Sequence, residues 1–265
     1  MFDMISFIAS RKIRGPRITM LTAYDYPSAV LVARAGVDVI LVGDSLANVV
    51  LGLDATTQVG MPEMLHHVRA VCRGAGKVPV VADIPASVMP TDVAPSCASC
   101  VDGAKEFITA GCVAVKIEWS MYCIEAIKAV RQAGIEVMGH VGLTPQTAVD
   151  FKVQGRDEAS AAIILEQSKA MEAAGCFAVV LECVPEGLAQ EITATLNVST
   201  IGIGAGKYCD GQVLVLHDMI GLNDRKVPRF VKKYANVSDM IVNAVRTYKE
   251  EVERGVFPDD TQTFR

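Results

Sequence analysis

Short apolar runs recur along the chain and are separated by longer stretches in which apolar and polar residues mix. Residues 37–42 show the first pattern clearly, because they are mostly β-branched and are followed by Gly43. Such a run predicts a strand that is buried on both faces, as in a parallel sheet. Comparable runs predict strands at 17–22, 78–82, 112–117, 135–138, 176–181 and 198–203, whereas residues 212–217 fit either an eighth strand or the start of a helix.

Helices are predicted between these strands, where apolar residues recur at three- and four-residue spacing. They cover residues 27–35, 62–73, 97–110, 121–133, 157–174 and 185–196, with a short helix within 1–16 and an amphipathic helix over 238–254. We expect loops at 46–60, 84–96 and 141–156, and an extended arm at the C-terminus.

Strand and helix therefore alternate with the spacing of βαβ units, which predicts right-handed crossovers and a parallel sheet. Seven or eight such units in 265 residues favour an α/β protein with a (βα)8 TIM-type barrel. An open, doubly wound sheet is the alternative. No linker or shift in composition divides the sequence, so we expect residues 1–265 to form one barrel domain with a short N-terminal helix and a C-terminal helix and arm.

Composition narrows the possible partners. Hydrophobic residues make up 51% of the chain, and its formal charge is −5 with both signs interspersed, so no basic stripe points to nucleic acid. No apolar run reaches the roughly 18 residues that a membrane span needs. The first residues lack a signal-peptide pattern, and we expect a cytoplasmic protein.

Two short motifs, a CxxC pair and a glycine-rich stretch, are only weak evidence of a metal site or a phosphate site. The eight cysteines are scattered, and we interpret them as small buried side chains in a reducing compartment. Cys97 and Cys100 form a CxxC pair, but the sequence lacks the second pair of ligands that a zinc site needs. The GIGAG stretch at 202–206 is neither GxGxxG nor a P-loop, and a tight turn explains it equally well.

Polar residues follow most of the predicted strands, at the mouth where a βα barrel places its active site. They are Tyr24 or Asp25, Asp44, Ser45, Asp83, Lys116, Glu118, His140, Glu182 and the turn Gly204, Ala205, Gly206. Four of them are acids (Asp44, Asp83, Glu118 and Glu182) that would repel one another around one cavity. A hard cation such as Mg2+ would neutralise them, whereas pairing of each acid with a neighbouring Arg or Lys is the alternative.

The remaining residues at this mouth suggest a reaction. Lys116 and Glu118 are two positions apart and share one face of a strand, where a lysine suits an anionic substrate. Glu182 precedes apolar residues, and burial would raise its pKa, which makes it the best candidate base. His140 fits a neutral donor or a proton carrier beside an enolate oxygen, or a structural role. These groups predict metal-assisted proton abstraction from a 2-oxo acid, followed by aldol-type C–C bond formation or its reverse.

A set of longer motifs occurs in order from about residue 13 to the end of the chain. They include TAYDYPSA at 22–29, LVGDSL at 41–46, VKIE at 115–118, GHVGLTPQ at 139–146, KVQGR at 152–156, LECVP at 181–185, IGIGAG at 201–206 and DGQVLVLHD at 210–218. Taken together, these motifs resemble the ketopantoate hydroxymethyltransferase family.

The resemblance implies a barrel of the phosphoenolpyruvate mutase/isocitrate lyase type and a homo-oligomer, often a decamer. It implies one-carbon transfer from 5,10-methylenetetrahydrofolate to 3-methyl-2-oxobutanoate, giving 2-dehydropantoate for pantothenate synthesis. By this likeness Asp44 and Asp83 bind Mg2+, with Glu118 in its shell. Contacts to the 2-oxo acid come from Asp44, Ser45, Asp83 and Lys116. Glu182 is the proton acceptor, and His140 lies near the substrate.

Two stretches depart from the family pattern. Residues 86–89 replace a bulkier segment after the second metal acid, and Trp119 and Ser120 stand where the family commonly has two glycines. These departures favour a second hypothesis, a lyase or aldolase of the same barrel type that acts on another 2-oxo acid. A catalytically silent, oligomeric paralogue is the third, and retention of the acids, Lys116 and His140 argues against it.

Overall fold

The computed structural model describes residues 4–13, 15–92, 96–148, 152–223, 225 and 227–264. Within them, eight strands form a closed barrel in which neighbouring strands are parallel. The strands are β1 (Ile18–Thr22), β2 (Val39–Val42), β3 (Val80–Asp83), β4 (Ala114–Glu118), β5 (Glu136–Gly142), β6 (Ala178–Glu182), β7 (Ser199–Ile203) and β8 (Gly211–Leu214). Because β1 pairs with β8, the sheet has no edge. The predicted (βα)8 barrel is confirmed, and the open-sheet alternative is wrong.

Helices connect most successive strands. They are α1 (Met4–Ile13), α2 (Tyr26–Arg34), α3 (Leu46–Val49), α4 (Met61–Gly74), α5 (Ala98–Ala110), α6 (Cys123–Gln132), α7 (Glu158–Ala173), α8 (Glu186–Thr195), α9 (Leu216–Ile220) and α10 (Val237–Glu253). Local chemistry fixes several ends. The Asp157 carboxylate accepts a hydrogen bond from Ser160 N and caps α7, and Gly111 ends α5 in the left-handed region at φ 115°.

The structure differs from the sequence prediction in several places. Residues 46–60 are not all loop, because α3 and a 3-10 turn at Thr56–Gln58 lie there; both are too short to produce a periodic pattern. Strand β5 continues past residue 138 to Gly142, through a glycine and a histidine that interrupt the apolar run. Residues 212–217 contain both alternatives, since β8 ends at Leu214 and α9 begins at Leu216. Parts of the predicted loops, at 93–95 and 149–151, lie outside the described residues.

Helix α1 contributes to the core of the barrel. Ile8 is completely buried and belongs to the same apolar cluster as Ile18, Met20 and Met138. Nearby, Lys12 Nζ donates hydrogen bonds to Thr193 O at 2.9 Å and to Asp210 Oδ2 at 3.1 Å, which ties α1 to residues outside that helix. The N-terminal helix therefore packs as part of the barrel.

The chain divides into two compact units, Met1–Val215 and Leu216–Arg265. The first contains the barrel. In the second, the Ser238 hydroxyl donates to Gly221 O at 2.8 Å near the start of α10, and turns follow that helix. That a single domain covers both units stays a prediction. In the part of the chain that is described, no helix has both the length and the apolar character that crossing a membrane requires.

Candidate active site

Strand register brings the predicted polar residues together at the carboxyl ends of β3 to β6. Asp83 is paired with Lys116, and Glu118 is paired with His140. One strand further, Glu182 is paired with Gly142. Because the strands are parallel, these ends meet at one mouth of the barrel.

Asp44, Asp83 and Lys116 form a buried ionic group at this mouth. The Lys116 ammonium lies 3.0 Å from Asp83 Oδ1, and Asp44 N donates to Asp83 Oδ2 at 3.1 Å. All three residues are at most 5% exposed. Two carboxylates therefore face one ammonium in a low-dielectric environment, where unbalanced negative charge is costly.

His140 lies between two glutamates. Its Nδ1 is 3.4 Å from Glu118 Oε1, and its Nε2 is 3.3 Å from Glu182 Oε2. The Lys116 ammonium also lies 3.3 Å from Nδ1. Burial and Lys116 oppose protonation of the ring, but the two nearby glutamates, Glu118 first, outweigh them and raise the pKa of His140 to about 9. A raised pKa favours the protonated ring, which would attract both carboxylates. The roles considered for His140 from the sequence, a neutral donor, a proton carrier or a structural residue, stay predictions.

The pKa values of the three buried acids shift in different directions. Burial, followed by repulsion from Asp83 and Glu118, raises the pKa of Asp44 to about 8. Burial also raises the pKa of Asp83, although Lys116 offsets part of this effect. Burial opposes ionisation of Glu118 too, but His140 and then Lys116 lower its pKa below the usual value. Asp44 and Asp83 thus share an environment that lacks positive charge.

Lys116 remains charged in spite of its enclosure. Burial alone would lower the pKa of its ammonium, but Asp83, Glu118 and Asp44 raise it above the usual value. A permanently charged ammonium at the mouth of the barrel suits a substrate carboxylate.

Ser45 follows Asp44 at the end of β2 and is held by Tyr24. The two hydroxyl oxygens are 2.8 Å apart, and Tyr24 is buried. Asp25, the other possibility raised by the sequence, instead caps α2 by accepting a hydrogen bond from Ser28 N at 2.7 Å. Tyr24, not Asp25, therefore belongs to the site.

The backbone around Glu182 is tightly constrained. Cys183 adopts φ 49°, in the left-handed region that is unusual for a residue other than glycine. Its N–H donates to Ile203 O, and its carbonyl accepts from Gln154 N. Gly142, at φ 95°, lies so close that a Cβ there would collide with the Glu182 carbonyl oxygen. The Glu182 side chain is 18% exposed, so it keeps access to the mouth.

Gln146 is the residue of this site that the sequence reasoning missed. Its Nε2 donates to Asp44 Oδ2 at 2.8 Å and to Ile84 O at 3.0 Å, and its backbone N donates to Glu118 Oε2 at 3.1 Å. It is the last residue of the GHVGLTPQ motif, which was the one available signal.

The donor set fits a magnesium ion held by few protein ligands. In the described residues, no group of three or more His, Cys, Asp or Glu side chains is arranged to hold a metal. The Glu118 carboxylate lies 3.4 Å from His140 Nδ1 and accepts a hydrogen bond from Gln146 N. Mg2+ needs only one or two carboxylates, because it keeps several waters and takes oxygens from its substrate. Asp44 and Asp83 are two buried carboxylates with only the Lys116 ammonium beside them in the described part of the chain, so they could serve as the one or two ligands that Mg2+ needs. The assignment of Asp44, Asp83 and Glu118 as metal ligands stays a prediction.

The weak motifs have structural explanations. Gly206, at φ 75°, packs against Glu186, where a Cβ would lie 2.5 Å from its Cγ, so the GIGAG stretch forms a tight turn. Burial raises the pKa of the Cys100 thiol to about 12, and its sulfur lies 3.9 Å from Met89 Sδ. The eight cysteines are free thiols. Cys100 therefore behaves as a small buried side chain.

The two departures from the family pattern lie beside this mouth. Trp119 is partly buried. Its backbone N–H donates to His140 O at 2.9 Å, which continues the pairing of β4 with β5. Residues Ala86–Val88 form a 3-10 turn after β3. Neither change displaces the ionic group described above.

Comparisons with known proteins agree with the family resemblance that the sequence motifs showed. The profile of the ketopantoate hydroxymethyltransferase family matches residues 4–260. The chain belongs to this family. It is 51% identical to the 3-methyl-2-oxobutanoate hydroxymethyltransferase of Moorella thermoacetica over 97% of this chain and 96% of that relative. It is also 51% identical to the enzyme of the same name from Syntrophus aciditrophicus, over 98% of this chain and 95% of the relative.

Solved structures extend the likeness to the barrel type. A phosphonopyruvate hydrolase, crystallised with oxalate and Mg2+, matches with a TM-score of 0.63 and 15% identity over 100% of this chain and 92% of its own. A 2,3-dimethylmalate lyase of the phosphoenolpyruvate mutase/isocitrate lyase superfamily matches with a TM-score of 0.61 and 14% identity, over 100% of this chain and 93% of its own. At these identities the likeness concerns the fold, and it agrees with the barrel type expected for the ketopantoate hydroxymethyltransferase family.

Proposed function

We propose that this protein transfers a hydroxymethyl group from 5,10-methylenetetrahydrofolate to 3-methyl-2-oxobutanoate and forms 2-dehydropantoate, a step of pantothenate synthesis. Relatives that are about half identical over nearly the whole chain carry the corresponding name. The observation that carries the proposal is the placement of Glu182, held by His140, beside the buried group of Asp44, Asp83 and Lys116.

The buried part of the site is suited to the 2-oxo acid. The Lys116 ammonium attracts its carboxylate, and the Ser45 hydroxyl, oriented by Tyr24, donates a hydrogen bond to a substrate oxygen. Asp44 and Asp83 would hold Mg2+, as one fold relative crystallised with oxalate and Mg2+ suggests. A bound Mg2+ would supply positive charge that withdraws electrons from the substrate carbonyl and makes the neighbouring C–H more acidic.

Glu182 performs the proton transfer in this proposal. Its carboxylate accepts the proton from C3 of 3-methyl-2-oxobutanoate, and the C–H electron pair moves into the enolate. C3 then forms a bond with the methylene carbon while the bond from that carbon to one folate nitrogen breaks. Water adds a hydroxyl group to the same carbon as its bond to the second folate nitrogen breaks. The proton taken by Glu182 and the remaining proton of that water end on the two nitrogens, so the products are 2-dehydropantoate and tetrahydrofolate. His140 keeps Glu182 in place throughout.

A transfer assay tests this function against the lyase alternative that Trp119 and residues 86–89 suggested. Purified protein, 3-methyl-2-oxobutanoate, 5,10-methylenetetrahydrofolate and Mg2+ should yield 2-dehydropantoate, and omission of the folate should abolish the product. A lyase or aldolase acting on another 2-oxo acid would form no product here but would cleave or condense its own substrate without folate. A silent paralogue would bind Mg2+ and turn over neither.

We also propose a cytoplasmic homo-oligomer, with the decamer that the family resemblance implies as its expected size. Helix α10 supports self-association, because Ile241, Val245, Tyr248 and Val252 follow one another at four- and three-residue spacing and are each at least 45% exposed in the single chain. Burial of this stripe against a second copy would remove apolar surface from water. Sedimentation velocity with Val245→Glu tests the idea, since a smaller particle is expected if the stripe is an interface.

A further inference from the structure

One glutamine connects three strand ends at the mouth of the barrel. Gln146 lies after β5, yet its contacts are with Asp44 at the end of β2, Ile84 after β3 and Glu118 at the end of β4. The residue is partly buried, so these bonds are made where water competes weakly. Gln146 is therefore placed to hold these strand ends relative to one another.

The contacts of the Gln146 amide fix its orientation. Nε2 lies 2.8 Å from Asp44 Oδ2 and 3.0 Å from Ile84 O. The Ile84 carbonyl oxygen only accepts hydrogen bonds, so the NH2 group, not the amide oxygen, must face it and the neighbouring Asp44 Oδ2. The amide thus uses both of its donors on these two acceptors. One N–H donates to the Asp44 carboxylate, and the other donates to the carbonyl oxygen of Ile84, the residue after Asp83.

The backbone of Gln146 makes a separate contribution. Its N–H donates to Glu118 Oε2 at 3.1 Å, which places the residue beside β4 whatever its side chain is. A substitution that removes only the amide therefore leaves this anchor intact. The role of the side chain can be measured apart from the placement of the loop.

We infer that Gln146 is a positioning residue that orients the Asp44 carboxylate to receive the divalent cation. This inference rests on the Mg2+ site of the proposed function. By donating to Oδ2, the amide restricts rotation of the carboxylate and directs its other lone pairs away from Gln146. Groups that hydrogen-bond a metal-binding carboxylate in this way raise metal affinity because the ligand needs no reordering when the ion arrives.

The test is calorimetric titration of the purified full-length protein with MgCl2. Gln146→Met keeps the length of the side chain and loses both donors, whereas Gln146→Asn keeps the amide but is one methylene too short to reach Asp44. Gln132→Met is the matched control, because Gln132 is an exposed residue at the end of α6. Thermal melts without Mg2+ report whether each variant is folded.

Both Gln146 variants should bind Mg2+ about tenfold to a hundredfold more weakly than the unchanged protein, with melting temperatures in the absence of Mg2+ close to its own. Gln132→Met should bind normally. Unchanged Mg2+ affinity in either folded Gln146 variant would overturn the inference. Loss of folding in both would assign Gln146 a purely structural role and would overturn it as well. Failure of the unchanged protein to bind Mg2+ would instead contradict the proposed function itself.

Discussion

His140 Nε2 lies 3.3 Å from Glu182 Oε2, and only the glutamate of this pair has access to the mouth of the barrel. Burial disfavours a charged ring, but the two nearby glutamates, Glu118 first, raise the pKa of His140 to about 9. A protonated His140 would therefore attract the carboxylate that we propose as the base. Through this contact, buried His140 can influence the proton transfer to Glu182 without contacting the substrate itself.

Substitution of His140 by glutamine should slow the proton transfer. A glutamine side chain cannot carry positive charge and cannot contact both glutamates in the same geometry, so Glu182 loses its restraint. We expect the turnover number for deuterium exchange into 3-methyl-2-oxobutanoate to fall about a hundredfold, with a smaller change in KM. His66→Gln, at an exposed position of α4, is the control and should leave the rate unchanged. Exchange by His140→Gln at the normal rate would show that the contact is incidental.

Removal of the Lys116 ammonium should destabilise the protein. In Lys116→Met, the Asp83 carboxylate loses its buried ion-pair partner at 3.0 Å. An uncompensated buried charge of this kind costs about 3–5 kcal/mol of unfolding free energy, measured by urea denaturation at neutral pH.

Lys105→Met provides the comparison for Lys116→Met, because Lys105 pairs with Asp102 at 3.5 Å on the exposed surface of α5. Loss of such a surface pair should cost less than about 1 kcal/mol. Equal effects of the two substitutions would mean that Asp83 is neutralised in some other way.

Much of this architecture is readable from the sequence because most strands are short apolar runs, and several of them end at or just before a polar residue. Asp44, Asp83, Glu118 and Glu182 mark the ends of four strands, and the closure of the barrel brings those ends together. Gln146 could not be found in this way, since it lies in a loop and no local pattern shows that its amide reaches β2. The charge on His140 also depends on distances to Glu118 and Glu182 that the sequence does not contain.

Helix α1 should be required for the stability of the barrel. Ile8 is completely buried among residues of β1 and other strands, so Ile8→Ala leaves a cavity and should lower the unfolding free energy by about 2–5 kcal/mol. Ile163→Ala, on α7 where Ile163 is 58% exposed, should have a much smaller effect. Similar urea midpoints for the two variants would be inconsistent with the packing of α1 described here.

The thiols should differ in reactivity with pH. The hydrogen bond from Cys112 lowers the pKa of the Cys72 thiol, whereas burial, and then Glu182, raise the pKa of Cys183 to about 12. Because the thiolate is the reactive form, iodoacetamide at about pH 7.5 should label Cys72 before Cys183. Labelling of Cys183 should rise about tenfold for each pH unit until the pH approaches 12.

Peptide mass spectrometry gives the labelling order of these two cysteines, and the unfolded protein serves as the control, since its cysteines should react at similar rates. Faster labelling of Cys183 than of Cys72 in the folded protein at about pH 7.5 would contradict the environments described for the two thiols.

The most direct test of the account is proton NMR of 3-methyl-2-oxobutanoate in D2O with the purified protein and Mg2+, without folate. We predict that the C3 proton exchanges for deuterium, that exchange needs Mg2+, and that Glu182→Gln abolishes it while the protein stays folded. Exchange at an undiminished rate in folded Glu182→Gln would contradict the assignment of Glu182 as the base. Absence of exchange in the unchanged protein would contradict the enolising reaction itself.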